Sequence, residues 1–318
     1  MILKLKKGDL IGKKYSVDQV LSYSGGTASI YLCSLLRDQN ISVVVKLSKH
    51  DVDDAGHESK LLEREALLLS SWEFRHPGVV RIFPIDGCDL HGNKYTLKDV
   101  SLPARPNYMV LEYLKGGSMA DAKNRKRIPQ MNIFWKMECF YQILITVASL
   151  HAKGYGHRDL KPDNIVFREP ITNNSVPKPV LIDFALATNG KNRHTDIVDK
   201  AMTLEYSPPE RVLRSMGPQY DDYIAEDPIK SDIYSLGIIL YELITGELPF
   251  KGSRNQIRTT IVSNQFEINL EKNKNLYENA SILTTMIRGM TQKDPQKRPR
   301  INMVINAVEA VFRPPLVY

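Results

Sequence analysis

The side chains with the most chemical potential in this chain are concentrated in one short run. Residues 157–164, HRDLKPDN, contain a carboxylate that could take up a proton (Asp159), an ammonium group (Lys161) and an amide that could bind a metal ion (Asn164). An apolar helical pattern at 133–153 precedes the run and a short β-branched strand follows it. We therefore expect a loop at the edge of a sheet, where catalytic residues are often placed. The simpler alternative is a polar connection between a helix and a strand.

Two further charged residues stand at the ends of apolar strands. Lys46 closes the β-rich run 41–46, and Asp183 follows the apolar run 180–182. Taken singly, each has an ordinary explanation. A lysine at a strand end usually keeps its ammonium group in water, and an aspartate there usually forms a turn. Taken with Asn164, however, Asp183 offers the hard oxygen ligands that suit Mg²⁺.

The hydrophobic pattern outlines the elements that must position these residues. A glycine-containing turn at 24–27 lies between two strands, a polar turn at 37–40 follows them, and a long polar loop is expected at 86–105. The predicted strands are 15–22, 28–35, 41–46, 79–83, 107–113, 165–166 and 180–182. The predicted helices are 58–72, 133–153 and 301–312. A further helix is predicted to open at Ser231, with Ser231 or Asp232 as its cap.

This arrangement resembles the catalytic domain of eukaryotic-type protein kinases over roughly residues 12–312. Residues 157–164 resemble the catalytic loop, and Lys161 two residues after Asp159 is typical of the serine/threonine enzymes. The triplet at 183–185 resembles the metal-binding Asp-Phe-Gly motif with alanine in place of glycine. Further matches are Pro208-Pro209-Glu210 for Ala-Pro-Glu, Asp232 as the residue that would hold the catalytic-loop backbone, and Arg298 as the late arginine that would pair with Glu210.

The fold implied by the resemblance is an α+β, two-lobed protein-kinase-like fold. A small lobe with an antiparallel β-sheet and one helix would occupy residues 1–111, and a hinge would occupy residues 112–118. A larger, mainly helical lobe would occupy residues 119–318, so that the whole forms one kinase domain. Because the resemblance takes up almost the entire sequence, we expect no separate regulatory domain in it.

The resemblance also implies the reaction, transfer of the γ-phosphate of ATP to a Ser or Thr hydroxyl of a protein substrate. Asp159 would accept the proton of the hydroxyl, and Lys161 would offset charge that develops on the γ-phosphate. Asn164 and Asp183 would be the ligands of Mg²⁺. ATP and Mg²⁺ are therefore the expected cofactors.

Lys46 would hold the phosphates that are not transferred, and it needs a carboxylate to orient it. The predicted helix 58–72 offers three glutamates. Glu65 matches the partner-bearing position best, with Glu63 and Glu58 as the alternatives.

The nucleotide would also contact the glycine-containing turn 24–27, which resembles the kinase glycine-rich loop. Backbone amides at glycines can approach phosphate oxygens closely, but Tyr23 and Ala28 stand at two of the three family glycine positions. The strand 107–113 and the residues after it resemble the hinge that binds adenine. The expected nucleotide-binding residues are Ser24, Gly25, Gly26, Thr27, Ala28, Lys46, Leu111 at the back of the pocket, backbone groups of Glu112 and Leu114, Asn164 and Asp183.

Residues 186–210 resemble the activation segment. A phosphate on this segment could pair with a cation beside the catalytic loop, although its hydroxyls could equally be simple exposed groups. The candidate phosphate acceptors are Thr195, Thr188 and Ser207, and the candidate cations are Arg158, Arg193 and Lys191. Ala185 is predicted to alter switching between active and inactive states, because alanine adopts a positive φ less readily than glycine.

Composition sets the class of protein and of partner. The chain has 318 residues, 42% hydrophobic and 25% charged, as in ordinary globular proteins. A net charge of +7 favours acidic ligands such as nucleotides, but no aromatic residues alternate with the basic runs, so we expect no nucleic-acid partner.

The apolar run 233–245 is too short to span a bilayer, and the amino end is too charged for a signal peptide. The three cysteines are far apart, which predicts reduced thiols in a cytoplasmic protein. The oligomeric state is not indicated.

Two competing functions stay open. A pseudokinase that serves as a nucleotide-binding scaffold is suggested by Tyr23, Ala28 and Ala185, which replace family glycines, while Asp159 and Asp183 oppose it. A kinase for small molecules is opposed by residues 203–210, which resemble a peptide-docking segment.

Overall fold

The computed structural model divides the chain into two compact units. The first comprises the residues up to Leu114 together with Asp183–Ala185, and the second comprises Lys115–Ile182 and the residues from Leu186 onward. The structure describes residues 3–23, 28–49, 57–71, 74–89, 92–103, 105–172, 175–190, 203–217, 226–263, 266–268, 270, 276 and 279–312.

The first unit is built on a seven-stranded antiparallel sheet and a separate hairpin. The strands are β1 (Leu10–Ile11), β2 (Tyr15–Ser22), β3 (Ala28–Leu35), β4 (Asp38–Ser48), β5 (Ile82–Phe83), β6 (Ile85–Asp89), β7 (Gly92–Lys94), β8 (Leu97–Lys98) and β9 (Asn107–Glu112). The order in the sheet is β1-β2-β3-β4-β9-β5, and β8 also pairs with β9. Inward-facing residues alternate along the strands, as on any sheet with one buried face, so Val43, Val45 and Leu47 join one core with Tyr31 and Cys33.

One helix, α1 (His57–Ser70), packs against this sheet. Leu61, Leu62, Ala66 and Leu69 are buried, and positions separated by three or four residues, such as 62, 66 and 69, lie on one face of the helix. The same face carries the buried carboxylate of Glu65 toward the sheet.

Three predicted boundaries in the first unit were wrong. Strand β4 begins at Asp38, inside the predicted turn 37–40, and the predicted strand 79–83 is reduced to β5. The predicted loop 86–105 contains the hairpin β6–β7 and strand β8. Backbone pairing satisfies the N–H and C=O groups of these segments without the β-branched alternation on which a sequence-based prediction depends.

The second unit is mainly helical. Its central helix α5 is buried on nearly all sides and packs against α3 and α7, as expected of a helix with apolar residues all round. A short antiparallel pair, β10 (Ile165–Phe167) and β11 (Pro179–Leu181), carries the predicted catalytic loop at its start. The helices are α2 (Ala122–Arg127), α3 (Ile133–His151), α4 (Pro209–Arg214), α5 (Pro228–Thr245), α6 (Arg254–Ser263), α7 (Asn279–Met290) and α8 (Ile301–Phe312).

Helix α5 begins earlier than predicted. The cap is Asp227, whose carboxylate accepts hydrogen bonds from the backbone N–H groups of Ile229 (2.9 Å) and Lys230 (3.2 Å). Pro228 occupies the first helical position, where it needs no hydrogen-bond partner. The predicted caps, Ser231 and Asp232, therefore lie within the helix and are buried.

By length and composition, α3 is the helix of the described residues that could span a bilayer. Half of the apolar stretch of α3 is buried within the protein. A core helix of a globular protein can be as long and as apolar as a membrane-spanning helix. Its packing against α5 and α8 fits the core helix predicted from the sequence.

Cys33 and Cys139 are free, buried thiols. Burial is the main cause that raises the pKa of each thiol to about 12, with Asp18 adding to the effect at Cys33 and Glu138 at Cys139. The side chain of Cys88 lies outside the described residues. The cytoplasmic location inferred from the cysteines stays a prediction.

Candidate active site

The first unit places the ammonium group of Lys46 between two carboxylates. Lys46 lies near the C-terminal end of β4, opposite Ile30 and Met109, and its side chain is only 6% exposed. Its Nζ donates to Oε2 of Glu65 at 2.6 Å and to Oδ1 of Asp183 at 2.8 Å. A buried cation needs such partners, because water no longer solvates it.

These contacts select one glutamate among the three predicted candidates. Glu65 pairs with Lys46, whereas Glu63 is exposed and accepts a hydrogen bond from Asn107 at 2.7 Å. Burial lowers the pKa of Lys46, but the carboxylates of Asp183 and Glu65 outweigh it, so the net pKa lies above the ordinary value of lysine. Lys46 is therefore a permanent cation at neutral pH.

Glu65 also fixes the backbone of the triplet at 183–185. Its Oε1 accepts the N–H of Phe184 at 3.1 Å. The positive φ in this triplet falls at Asp183 (60°) and not at Ala185, and aspartate tolerates that region better than most residues. Alanine is thus unstrained in this conformation, and its effect on switching stays a prediction.

In the second unit, two polar side chains of residues 157–164, those of Lys161 and Asn164, contact the carboxylate of Asp159. Lys161 Nζ lies 3.1 and 2.9 Å from the two oxygens of Asp159, and Asn164 Nδ2 donates to Oδ2 of Asp159 at 2.8 Å. A 3₁₀ turn, Pro162–Asn164, brings the amide back toward the acid. Lys161 Nζ also donates to the hydroxyl of Thr203 at 3.0 Å, which links the loop to the predicted activation segment.

Helix α5 holds the backbone of this loop, as the resemblance implied. Asp232 accepts the N–H groups of His157 (2.7 Å) and Arg158 (2.8 Å) and lies 2.9 Å from Nε2 of His151. The implied pair of Glu210 and Arg298 is also present, with two bonds of 2.7 Å.

The partner of Arg158 in the structure is a carboxylate. Its guanidinium donates to both carboxylate oxygens of Glu226 at 2.7 Å, whereas the sequence had offered a phosphate on residues 186–210 as one possible partner. The predicted acceptors Thr188 and Ser207 are 9% and 4% exposed, and Ser207 donates to the carbonyl of Thr203. Thr188 and Ser207 are therefore not the exposed hydroxyl groups that the sequence analysis gave as the alternative to phosphorylation sites. The other members of that prediction, Thr195, Arg193 and Lys191, lie outside the described residues.

Of the predicted glycine-rich turn, Ser24, Gly25, Gly26 and Thr27 lie outside the described residues. The flanking residues are anchored. Tyr23 donates its hydroxyl to the carbonyl of Leu5 at 2.8 Å and packs edge-on against Tyr31, while Ala28 is buried and pairs with Ser48. Tyr23, which stands at the first family glycine position, therefore packs its side chain against other residues of the sheet.

The predicted adenine-binding residues of the first unit lie at the end of β9 (Leu111, Glu112) and just after it (Leu114). Leu111 and Leu114 are buried. The N–H of Glu112 donates to the carbonyl of Arg81 at 2.9 Å, so a bond from the Glu112 backbone to a nucleotide base would have to use its carbonyl oxygen.

Asp183, in the first unit, and Asn164, in the second, each present an oxygen atom of a type that Mg²⁺ accepts. Asp183 presents a carboxylate that is 38% exposed, and Asn164 donates its amide nitrogen to Asp159, which leaves its amide oxygen as the atom for a cation. Among the described residues, no three His, Cys, Asp or Glu side chains form a metal cluster. Mg²⁺ does not need one, because it commonly takes one or two protein oxygens together with phosphate and water.

A family model described as protein kinase domain matches residues 23–308. The chain belongs to the protein kinase family. The family explains why Lys46 and Asp183 share one unit with Glu65, and why Asp159, Lys161 and Asn164 share one loop.

Several named kinases are similar to this kinase domain. Serine/threonine-protein kinase 16 of Mus musculus is 24% identical over 315 residues, which covers 95% of this chain and 92% of the relative. A probable serine/threonine-protein kinase of Clostridium perfringens is 26% identical over 98% of this chain and 40% of its own length. Ribosomal protein S6 kinase alpha-4 of Homo sapiens is 29% identical over 67% of this chain, which spans 27% of that relative.

Two residues of the kinase site were not found by sequence reasoning. Thr203 is 42 residues from Lys161, and Glu226 is 68 residues from Arg158. Glu226 belongs to no motif used above, and Thr203, which opens the segment 203–210, had been given no role of its own. No local pattern joins residues that far apart. For Thr203 the available signal was its place at the start of the segment that leads to Glu210.

Proposed function

We propose that this kinase domain is an active enzyme that transfers the γ-phosphate of ATP to Ser or Thr hydroxyls of protein substrates. The observation that carries the proposal is the Asp159 carboxylate, which is held by Lys161 and Asn164 within one loop. A chain that had lost phosphoryl transfer would have no need to keep this acid, cation and amide in contact.

Asp159 is the proposed base. Its carboxylate would accept the proton of the substrate hydroxyl and orient the oxygen for in-line attack on the γ-phosphate. Lys161 shares its ammonium group between Asp159 and Thr203, so a phosphate that approaches this loop meets a cation already fixed in position. Phosphoryl transfer depends mainly on such positioning and charge neutralisation.

Lys46 is the proposed anchor for the other phosphates of ATP. Glu65 fixes its ammonium group, and Asp183, which shares that group, offers an oxygen to Mg²⁺ as does Asn164. When bound, magnesium neutralises charge on the phosphate oxygens. Residues 112–118 are the proposed hinge segment, where backbone groups would bind adenine.

The choice of Ser and Thr as acceptors rests on two supports. Lys161 contacts both Asp159 and Thr203, and the family resemblance associates a lysine at this position with the serine/threonine enzymes. The relatives named above also carry that specificity in their names.

The proposal is tested by incubating the purified chain with labelled ATP, Mg²⁺ and a generic basic protein, followed by phosphoamino acid analysis. We expect label on Ser and Thr. Asp159→Asn should lower turnover about 100-fold or more while ATP still binds, because asparagine keeps the shape of the acid but takes up no proton.

The matched control is Asp163→Asn, an exposed acid in the same loop, which should retain wild-type turnover. Unchanged activity in Asp159→Asn would show that the base is assigned wrongly. If the wild-type chain transfers no phosphate at any enzyme concentration, the pseudokinase scaffold becomes the better description. This alternative is tested because Tyr23 and Ala28 replace glycine at two family positions.

A further inference from the structure

One buried carboxylate lies among three arginines beside the catalytic loop. Glu226 accepts two bonds of 2.7 Å from Nε and Nη2 of Arg158, and one bond of 2.9 Å from Nη1 of Arg214. Nε of Arg211 lies 3.7 Å from the same carboxylate. The side chain of Glu226 is 7% exposed and that of Arg158 is 8% exposed, so solvent screens the pair weakly.

The arginines connect two elements with different tasks. Arg158 directly precedes the proposed base and has a positive φ of 66°, a conformation that needs support from its surroundings. Arg211 and Arg214 lie on α4, which follows the segment of Thr203, and Arg211 donates to the carbonyl of Arg158. Glu226 therefore joins the catalytic loop to the element at the end of the activation segment.

The charges make Glu226 a permanent anion. Burial raises the pKa of its carboxyl, but Arg158, Arg211 and Arg214 lower it further, and the net pKa lies below the ordinary value. A bidentate arginine–carboxylate pair is also directional, so it holds the Arg158 guanidinium in one orientation.

The hydroxyls that could otherwise supply an anion here are engaged. Thr188 is 9% exposed, its backbone pairs with Gly156, and its Oγ1 accepts the N–H of Gly190. Ser207 is buried and bonded to Thr203. Within the described part of the activation segment, the place beside Arg158 is thus filled by a carboxylate.

We propose that Glu226 is a positioning residue for phosphoryl transfer: its carboxylate holds Arg158 and α4 together, so the loop that bears Asp159 is ordered without phosphorylation of the chain. This inference rests on the proposed function and adds a statement about its regulation. Glu226 touches no reacting atom and acts through Arg158.

The first test compares kinetics of three variants of the full chain. Glu226→Gln keeps the size and removes the charge, and it should lower kcat about 10- to 100-fold, as a small displacement of a catalytic group does. The KM for ATP should stay at the wild-type value, because no proposed nucleotide contact changes. Glu226→Asp should recover much of the loss. The control is Glu247→Gln, an exposed carboxylate that pairs with Lys251 in the same unit.

A kcat of Glu226→Gln equal to that of the wild type would overturn the inference. A loss confined to KM would do the same. Combining Glu226→Gln with Arg158→Gln adds a second criterion. If Glu226 acts through Arg158, the double variant loses no more than the worse single variant, whereas two independent contributions multiply.

The second test addresses phosphorylation directly. Wild-type protein is treated with phosphatase, verified as unphosphorylated by intact mass, and assayed after removal of the phosphatase. We expect the initial rate to be unchanged. A lag or a large fall in rate that disappears as the chain becomes phosphorylated would contradict the inference.

A third measurement separates this inference from the proposed function. Amide hydrogen exchange at residues 157–159 needs no catalysis, and these residues should exchange faster in Glu226→Gln than in wild type or Glu247→Gln. If the wild type proves inactive, the proposed function fails, and this measurement alone decides whether Glu226 orders the loop. Equal exchange in all three proteins would reject the ordering role. Circular dichroism melting verifies that each variant is folded.

Discussion

Among single residues, Lys46 shows how burial converts a common side chain into a fixed charge. Transfer of an ammonium group out of water favours loss of its proton, unless carboxylates compensate. Glu65 and Asp183 supply that compensation at 2.6 and 2.8 Å. Because Asp183 is the more exposed partner, it is the one that can exchange the lysine for another cation.

We therefore expect Lys46→Met to lower the phosphoryl-transfer rate about 100-fold or more, the typical effect of removing one preorganised charge from an active site. Methionine keeps the apolar stem of the lysine, so the sheet packing is retained. Initial rates with labelled ATP provide the measurement. Lys98→Met, an exposed lysine on β8, is the control. Normal rates in Lys46→Met would remove the phosphate-anchor role.

At the scale of elements, the geometry of the catalytic loop depends on a helix far along the chain. Asp232 lies in the first part of α5 with no exposed surface, and it accepts two backbone N–H groups from residues 157 and 158. The cap at Asp227 stabilises the first turn of α5, and thus the part of the helix from which Asp232 reaches the loop.

Asp232→Ala should lower the free energy of unfolding by about 3 kcal/mol or more, because each orphaned buried donor costs roughly 1–3 kcal/mol. Asp227→Ala is the comparison, since loss of a helix cap typically costs about 1 kcal/mol. Urea unfolding followed by circular dichroism measures both. Equal losses in the two variants would mean that Asp232 contributes no more than an ordinary cap.

At the scale of the whole molecule, the second unit is joined by an ion pair between distant parts of the chain. Arg298 and Glu210 are 88 residues apart, and both side chains are fully buried. Arg298 also lies over the ring of Tyr234, 5.2 Å from its centroid, and donates to three backbone carbonyls. The pair therefore connects α4, α5 and the residues that lead into α8.

Arg298→Met should destabilise the protein by about 3–5 kcal/mol, because it leaves Glu210 buried without its cation. Adding Glu210→Gln to Arg298→Met should restore part of the loss, since the uncompensated charge is removed. The free energies of unfolding of the wild type, the two single variants and the double variant provide the cycle. Strictly additive losses would show that the two residues do not act as a pair.

Local elements were largely predictable from the sequence, and particular residues show why. Strand β3 and helix α8 match their predicted ranges, because alternation and helical spacing are properties of neighbouring residues. The sequence made Glu65 the best candidate partner of Lys46, but it could not exclude the alternatives Glu63 and Glu58. Glu58 lies seven residues, or two turns, before Glu65 and thus on the same helical face. The packing of α1 against the sheet decides which of them reaches Lys46.

By itself, the sequence determined which residue types could carry a proton, a phosphate or a metal ion, and in which order they occur. It also determined the family, because motifs are read along the chain. Only the tertiary structure decided which charges meet. Lys46 pairs with Asp183 across 137 residues, and Arg158 pairs with Glu226 across 68 residues. The physical reason is that electrostatic contacts depend on distance in space, and folding sets that distance independently of separation along the chain.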